Sequence, residues 1–203
     1  MKIDQPDRRV KRTQRLLAEA LISLTLDKGY DAVTIRDITE AADIGYATFF
    51  RHYPDKDALL TEVLRVVLEQ LLALLQPQQG SADPATIGGL LFGYVGEHSA
   101  VCRVLLSSHG SSDLLQQVID TGTANVLRDN APLPGSPVPM EIAAHHIVAS
   151  SLALIDWWLD HGMPYPAEAM GRIYADMIVA PTARLAFAAP GGLSAPATPA
   201  DSR

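Results

Sequence analysis

Leu17, Ala20, Leu21 and Leu24 recur at three- and four-residue intervals, and Gly29 follows them as a helix stop, so a first helix is expected from about Asp7 to Lys28. From Thr34 the apolar spacing is again helical, but in shorter units. Thr34 stands at an N-cap position with Asp37 three residues on, in the acidic place of a capping box, and Ile35, Ile38, Ala41 and Ala42 follow. Asp43-Ile44-Gly45 breaks the pattern with two residue types that tolerate turn geometry, and Gly45 can cap a further helix, Tyr46 to Tyr53. At about 100° per residue, Phe49 and Tyr53 share the face that must be buried. Ala47, Thr48 and Arg51 point the opposite way, with Tyr46 and Phe50 at the margin. Two short helices, packed on the first, read as a helix-turn-helix. An outer face of one small residue, one hydroxyl and one Arg can approach a DNA major groove closely and still make polar contacts.

The second part of the chain is helical by the same test. Leu59, Leu60, Val63, Leu64, Val67, Leu68, Leu71, Leu72 and Leu75 predict a long helix between Pro54-Asp55 and Pro77, with an apolar stripe too broad for one partner. After a polar loop, Gln76 to Asp83, comes a helix from Ala85 to Glu97 that contains Gly88, Gly89, Gly93 and Gly96. Each glycine costs about 1 kcal/mol against Ala, so this helix is held by packing or moves. Ser99 to Ser107 and Asp113 to Arg128 follow as helices, joined by SSHGSS. A proline-dense loop, Asp129 to Pro139, precedes the longest apolar helix of this half, Met140 to Asp160. The last predicted helix, Ala167 to Val179, is stopped at Pro181. Residues 190–203 are low in complexity and read as a disordered tail. No period-two pattern competes, and the fold class is all-α.

The net charge of −7 looks wrong for a nucleic-acid binder until it is divided along the chain. Residues 1–57 carry ten basic and ten acidic side chains, and residues 58–203 carry six against thirteen, so the whole excess lies in the second part. Arg8, Arg9, Lys11, Arg12 and Arg15 cluster in eight residues with no acid among them, a basic arm leading into the first helix. No run approaches the roughly 18 uninterrupted apolar residues of a membrane span, and the N-terminus lacks an apolar leader core. A cytoplasmic protein without membrane contact is expected. One cysteine, Cys102, rules out an intramolecular disulfide and suits a small buried side chain.

The run ATFFRHYPDKDALL resembles the recognition helix and following helix start of tetracycline-repressor (TetR) family transcription regulators, and the likeness extends back over roughly residues 8–64. The resemblance implies an N-terminal three-helix helix-turn-helix domain, residues 8–56 with the motif at 34–53. It further implies a C-terminal antiparallel helical ligand-binding and dimerisation domain, residues 57–189. Thr34 and Lys56 would touch phosphates at helix starts. Arg36 and the Tyr46, Ala47 and Thr48 group would reach base edges, and Phe50 and His52 would lie against the DNA backbone. Gly45 and Arg51 complete the expected contact set. Phe50 stands where the family usually has Tyr, so one hydroxyl contact to phosphate is missing. The segment SLALIDWWLDHGMPYPAEAM is similar to the C-terminal helix pair of one branch of the family.

By the same resemblance the chain is a homodimeric, ligand-responsive repressor of a palindromic double-stranded operator, with no cofactor. For its effector, an apolar or aromatic small molecule, Phe92, Tyr94, His98 and Cys102 offer an apolar wall with polar handles, and Trp157 and Trp158 would close one side. Core packing is the competing reading of Tyr94 and His98. Adjacent tryptophans cannot share one core, so one of the pair is expected inside and the other at an interface or pocket mouth. Small residues along the Met140 helix suit close packing of a second copy, with Ala144, Ile147, Ser151 and Leu154 as the expected interface. His145 and His146 diverge by about 100° and cannot chelate one ion together, and no metal site is expected. Ser107, Ser108, His109 and Asp113 share one turn without a framed nucleophile, so no catalytic residue is assigned. Two rival readings stay open: a helical enzyme, and a DNA-binding protein controlled by a protein partner or by no ligand.

Overall fold

The computed structural model describes residues 5–75, 83–106 and 112–188, except for the side chains of residues 5–7 and 112–114. Most of the predicted Gln76 loop, the SSHGSS turn with Ser107, Ser108 and His109, the Asp113 side chain and the predicted tail lie outside the described residues. Helices α1 (Gln5–Lys28), α2 (Ile35–Ala41), α3 (Tyr46–Phe49) and α4 (Lys56–Leu75) are followed by α5 (Pro84–Glu97), α6 (Ser99–Leu106), α7 (Ser112–Asp129) and α8 (Met140–Asp160). The chain closes with α9 (Ala167–Tyr174) and α10 (Ala180–Ala186).

Leu17 and Leu21 of α1, Ile38 of α2, Phe49 of α3, and Leu59, Leu60 and Leu64 of α4 form one buried core. Gly29, at φ 79°, ends α1 in a conformation that an L side chain rarely adopts. This core is not closed by α1–α4 alone. Val104 of α6 is buried in it, with Ala100, Val101 and Leu105 packed alongside. The other face of α6 turns Cys102 and Leu106 toward a second core, built from Leu91, Phe92, Val95, Ile155, Trp158, Leu159 and Met170. Helix α4 spans the same two units, since Leu71 packs on the second core. Helices α4 and α6 therefore each serve both units, α4 from its start near the expected boundary at residue 57 and α6 from beyond it.

Packing explains Gly88 and Gly89 of α5, which lie at the crossing with α9, but not Gly93, whose added Cβ would meet nothing within 4 Å. Gly88 lies against Gly171 and Tyr174, and a Cβ added to Gly171 would stand 2.3 Å from the Gly89 backbone nitrogen. The crossing of α5 with α9 is thus backbone on backbone, a closeness only glycine permits. Of the two outcomes open for this helix, it is held.

Pro181 does not stop the last helix. The chain runs from α9 through one wide turn, Ala175–Val179, in which the Ala180 N–H donates to the carbonyl of Ala175, five residues back, and continues as α10. Proline lacks the amide that would bond four residues back and crowds that carbonyl, and a π turn placed just before it absorbs both defects. A third core, Ala143, Ala144, Ile147, Ile178, Ala186 and Phe187, joins α8 to this continuous helix. The proline-dense loop is pinned to its end by Leu133 N–H to the Ala186 carbonyl and Ala188 N–H to the Ala131 carbonyl, both 2.9 Å. By length and composition α8 is long and apolar enough to cross a membrane, but the apolar side chains it buries are divided between the second and third cores.

Candidate nucleic-acid interface

The capping box at Thr34 is complete. The Asp37 N–H donates to Thr34 Oγ1 at 3.1 Å, while Asp37 Oδ2 accepts from the Thr34 N–H at 2.8 Å and from its hydroxyl at 2.7 Å. The same oxygen accepts from Lys28 Nζ at 2.8 Å, tying the end of α1 to the start of α2. The Lys28 ammonium, followed by the Thr34 donors, holds the Asp37 carboxyl far below the usual carboxylate range. The Thr34 hydroxyl proton, expected at a phosphate, is therefore engaged by its own cap.

Asp43 makes the turn between α2 and α3. At φ 53° it occupies the left-handed position, with its N–H on the Glu40 carbonyl and the Ile44 N–H on the Thr39 carbonyl, a Schellman closure of α2. Gly45, by contrast, has φ −62°, and a Cβ there would meet only Thr48 Oγ1 at 3.6 Å. Nothing in the fold requires glycine at this exposed position.

Helix α3 is shorter than the sequence suggests. After Phe49 the chain tightens into turns, with the Arg51 N–H on the Thr48 carbonyl and the His52 N–H on the Phe49 carbonyl, so Phe50 to Tyr53 leave the regular helix. Phe49 and Tyr53 are nonetheless buried. Tyr46 and Phe50 project, 53% and 47% exposed, with their rings in edge contact at 5.3 Å. Ala47 and Arg51 are exposed beside them, while Thr48 and His52 are half-buried. Arg36 of α2 is exposed on a groove of about 560 Å³ that it lines with Thr39, Glu40, Asp43, Ile44, Gly45 and Tyr46. Glu40 lies one turn after Arg36 on α2 and places a carboxylate in the same groove.

Lys56 is placed differently from the rest. Its ammonium donates to the carbonyls of Tyr30 at 2.9 Å and Val33 at 3.1 Å, and stands 4.3 Å over the Tyr30 ring. Its side chain turns inward onto the segment between α1 and α2.

The effector wall is only partly assembled. Phe92 is fully buried and meets Trp158 edge-on at 5.3 Å, and Tyr94 lies 4.2 Å from the His98 ring. The Tyr94 hydroxyl donates to the Val67 carbonyl at 2.9 Å, with Gln70 Oε1 at 3.1 Å, which fastens α5 to α4. Burial pushes the Cys102 thiol up to about 11. Trp157 does not belong to this wall. It lies on the outside of α8, 43% exposed and stacked on His161 at 4.4 Å, whereas Trp158 is buried with its indole N–H on the Tyr165 carbonyl.

The expected interface on α8 is also corrected. Ala144, Ile147 and Ser151 point into the protomer, and Leu154 packs between the second and third cores. The exposed stripe of α8 is the other one, with Ile142 60% exposed and His146 and Ala153 along it. Ile142 lines a groove of about 300 Å³ with Val138, Ala143, His146, Met177, Pro181, Thr182 and Leu185. Leu185 lies beyond the expected helix end at Val179, and Met177 lies within that expected helix without having been singled out.

Residues 17–63 match the bacterial regulatory proteins of the tetR family, and residues 88–179 match a transcriptional regulator C-terminal region. The chain is similar to an uncharacterised HTH-type transcriptional regulator, YxbF of Bacillus subtilis, with 24% identity over 179 residues, which cover 86% of this chain and 46% of that protein. It is also similar to the HTH-type transcriptional regulator TcmR of Streptomyces glaucescens, with 30% identity over 77 residues, 38% of this chain and 34% of that protein. The chain thus spans less than half the length of these curated relatives. A TetR-family structure from Syntrophomonas wolfei superposes with a TM-score of 0.68 at 17% identity, over 85% of this chain and 95% of that one. FadR of Bacillus subtilis, solved with stearoyl-CoA, gives 0.65 at 11% identity over 81% and 97%. At such identities the likeness to these structures is one of fold.

Proposed function

This chain belongs to the tetR family of bacterial regulatory proteins, and from that premise we propose that it is a dimeric, sequence-specific DNA-binding repressor whose hold on a palindromic operator is loosened by a small molecule. The observation that carries the reading is the exposed surface of α2 and α3. Arg36, Gly45, Tyr46, Ala47, Phe50 and Arg51 stand outward on a unit whose core is closed with α6 and in which α2 is capped. Arg36 presents a planar fork to base edges, and the exposed aromatic pair supplies apolar contact to sugar and thymine methyl groups. Arg8, Arg9, Lys11, Arg12 and Arg15, all exposed on α1, add the charge that draws phosphate.

One recognition helix of four residues covers too few bases for specificity, so a second copy is required. The groove containing Ile142, Met177 and Leu185 is where that copy is expected, because these are large apolar side chains that α8, the wide turn and α10 bring to one groove. An apolar or aromatic effector is expected among α5, α6 and α7 with Trp158 at its side. There an acceptor atom on an otherwise apolar effector competes for the Tyr94 hydroxyl and so loosens the fastening of α5 to α4.

Selection of duplexes from a random pool by the full chain tests the reading. Enrichment of a palindrome whose half-sites lie about one helical turn apart, or a multiple of it, is the expected result. A pool that remains random after repeated rounds refutes sequence-specific binding, and an enriched single half-site refutes the symmetric dimer.

A further inference from the structure

Two consecutive residues at the start of α4 grip the segment that leads into α2. Lys56 donates to two backbone carbonyls, those of Tyr30 and Val33, and its ammonium lies over the Tyr30 ring. Asp57 accepts the hydroxyl proton of the same tyrosine. Tyr30 is buried, and burial, reinforced by Asp57, keeps its phenol protonated at any physiological pH. The carbonyls that Lys56 binds have few other donors. Tyr30 O accepts the Val33 N–H at 3.1 Å in closing its short turn, and Val33 O immediately precedes Thr34, the N-cap, where no helical amide reaches back. A lysine swung out to a phosphate would leave the Val33 carbonyl without this donor, and would remove a cation from an aromatic face and from the neighbourhood of Asp57.

We propose that Lys56 is a positioning residue and not a phosphate ligand: with Tyr30 and Asp57 it locks the start of α2 to the start of α4, so that the two move as one. Arg36 is three residues beyond the bound Val33 carbonyl, so a loosened joint displaces the base-reading side chain first. Through this joint a tilt of α4, which Tyr94 fastens to α5, reaches the recognition unit. The inference rests on the DNA-binding reading above, but its structural half is testable without DNA.

Three variants of the full chain decide it: Lys56→Met, which keeps the alkyl stem over the ring and removes the ammonium; Tyr30→Phe, which removes one hydroxyl from a buried side chain that cannot touch DNA; and the double variant. Binding to the selected operator and to an unrelated duplex is measured across a salt series, well below the melting temperature. For Lys56→Met the operator affinity is expected to fall about tenfold and the unrelated duplex less than about twofold, with the salt slope unchanged. Tyr30→Phe is expected to shift the same ratio in the same direction, and the double variant to fall short of the product of the two single effects. In the DNA-free protein, amide exchange over residues 29–37 is expected to quicken about tenfold in Lys56→Met.

Equal loss on both duplexes, with a salt slope smaller by about one per protomer, is the signature of a phosphate ligand and overturns the proposal. So does unchanged exchange over residues 29–37. Wild-type chain with no preference between any duplexes refutes the regulator reading instead, and the exchange measurement then still decides the role of Lys56.

Discussion

Gly171→Ala adds one methyl group where α9 crosses α5, and its cost can be worked out from the contacts. The new Cβ would stand 2.3 Å from the Gly89 nitrogen, 2.6 Å from the Ala85 carbonyl oxygen and 2.8 Å from the Gly89 Cα. All three atoms are backbone, so no rotamer change relieves the clash. Restoring ordinary separations of about 3.5 Å requires the helices to part by roughly 1 Å, and a gap of that size forfeits a quarter to a half of each dispersion contact along the crossing. Overpacking of this kind costs about 1–3 kcal/mol, or more where backbone cannot yield, against about 1 kcal/mol gained in helix propensity. Net destabilisation of up to about 2 kcal/mol follows, or a melting temperature lower by up to about 8 °C for a chain of this length. Gly93→Ala is the control, because a Cβ there meets no heavy atom within 4 Å. It should raise stability by up to about 1 kcal/mol. Urea denaturation at one fixed protein concentration, followed by helical circular dichroism, compares the two with wild type. If Gly171→Ala proves as stable as Gly93→Ala, the glycines of α5 are not there for the crossing and the reasoning fails.

Gly45→Ala should leave stability within about 0.5 kcal/mol of wild type, since neither φ nor space demands glycine, and should weaken operator binding if the backbone there approaches DNA; unchanged affinity would remove Gly45 from the contact set. Asp37→Asn should be less stable than wild type at pH 7. Because the folded carboxyl titrates well below its ordinary 3.8, that advantage is complete above the unfolded value and drains away as pH falls beneath it, so a difference constant from pH 7 to pH 2 would contradict the cap. Cys102, raised by burial to about 11, should react with iodoacetamide about a hundredfold more slowly in the folded chain than in urea at pH 8, and equal rates would show the thiol to be open. Met177→Glu places a charge on a side chain 71% exposed in the protomer, so the fold should survive while the dimer dissociates in sedimentation; an intact dimer would move the interface elsewhere.

The helix-turn-helix was legible because its determinants are local. A capping box needs only Thr34 and Asp37, and the buried phase of α3 needs only Phe49 and Tyr53 four residues apart. Lys56 was not legible in this way. Its acceptors are backbone carbonyls 26 and 23 residues away, and every residue type has such a carbonyl, so nothing in the sequence marks Tyr30 and Val33 as the ones that will face it. The same holds for α6, where a short helix gives Val104 to one core and Cys102 to another. Helical period predicts two faces, but which face meets which neighbour is a property of the assembled chain.

In α8 one undetermined angle bears on two expectations at once, which tryptophan is buried and which stripe faces outward. Ile147 and Trp158 are eleven residues apart and fall within about 20° of each other, as do Ile142 and Ala153, so the helix carries two apolar stripes and each ends in a tryptophan. Choosing the stripe that faces the protomer assigns both the core tryptophan and the outward surface. The wide turn at Ala175–Val179 bears on that choice. It carries the helix on past Pro181, so that Ile178, Ala186 and Phe187 meet Ala143, Ala144 and Ile147, which turns Ile142 and Trp157 outward. A helix ending before Pro181, as the sequence suggests, would supply neither Ala186 nor Phe187, and the phase of α8 would lose much of the surface that fixes it.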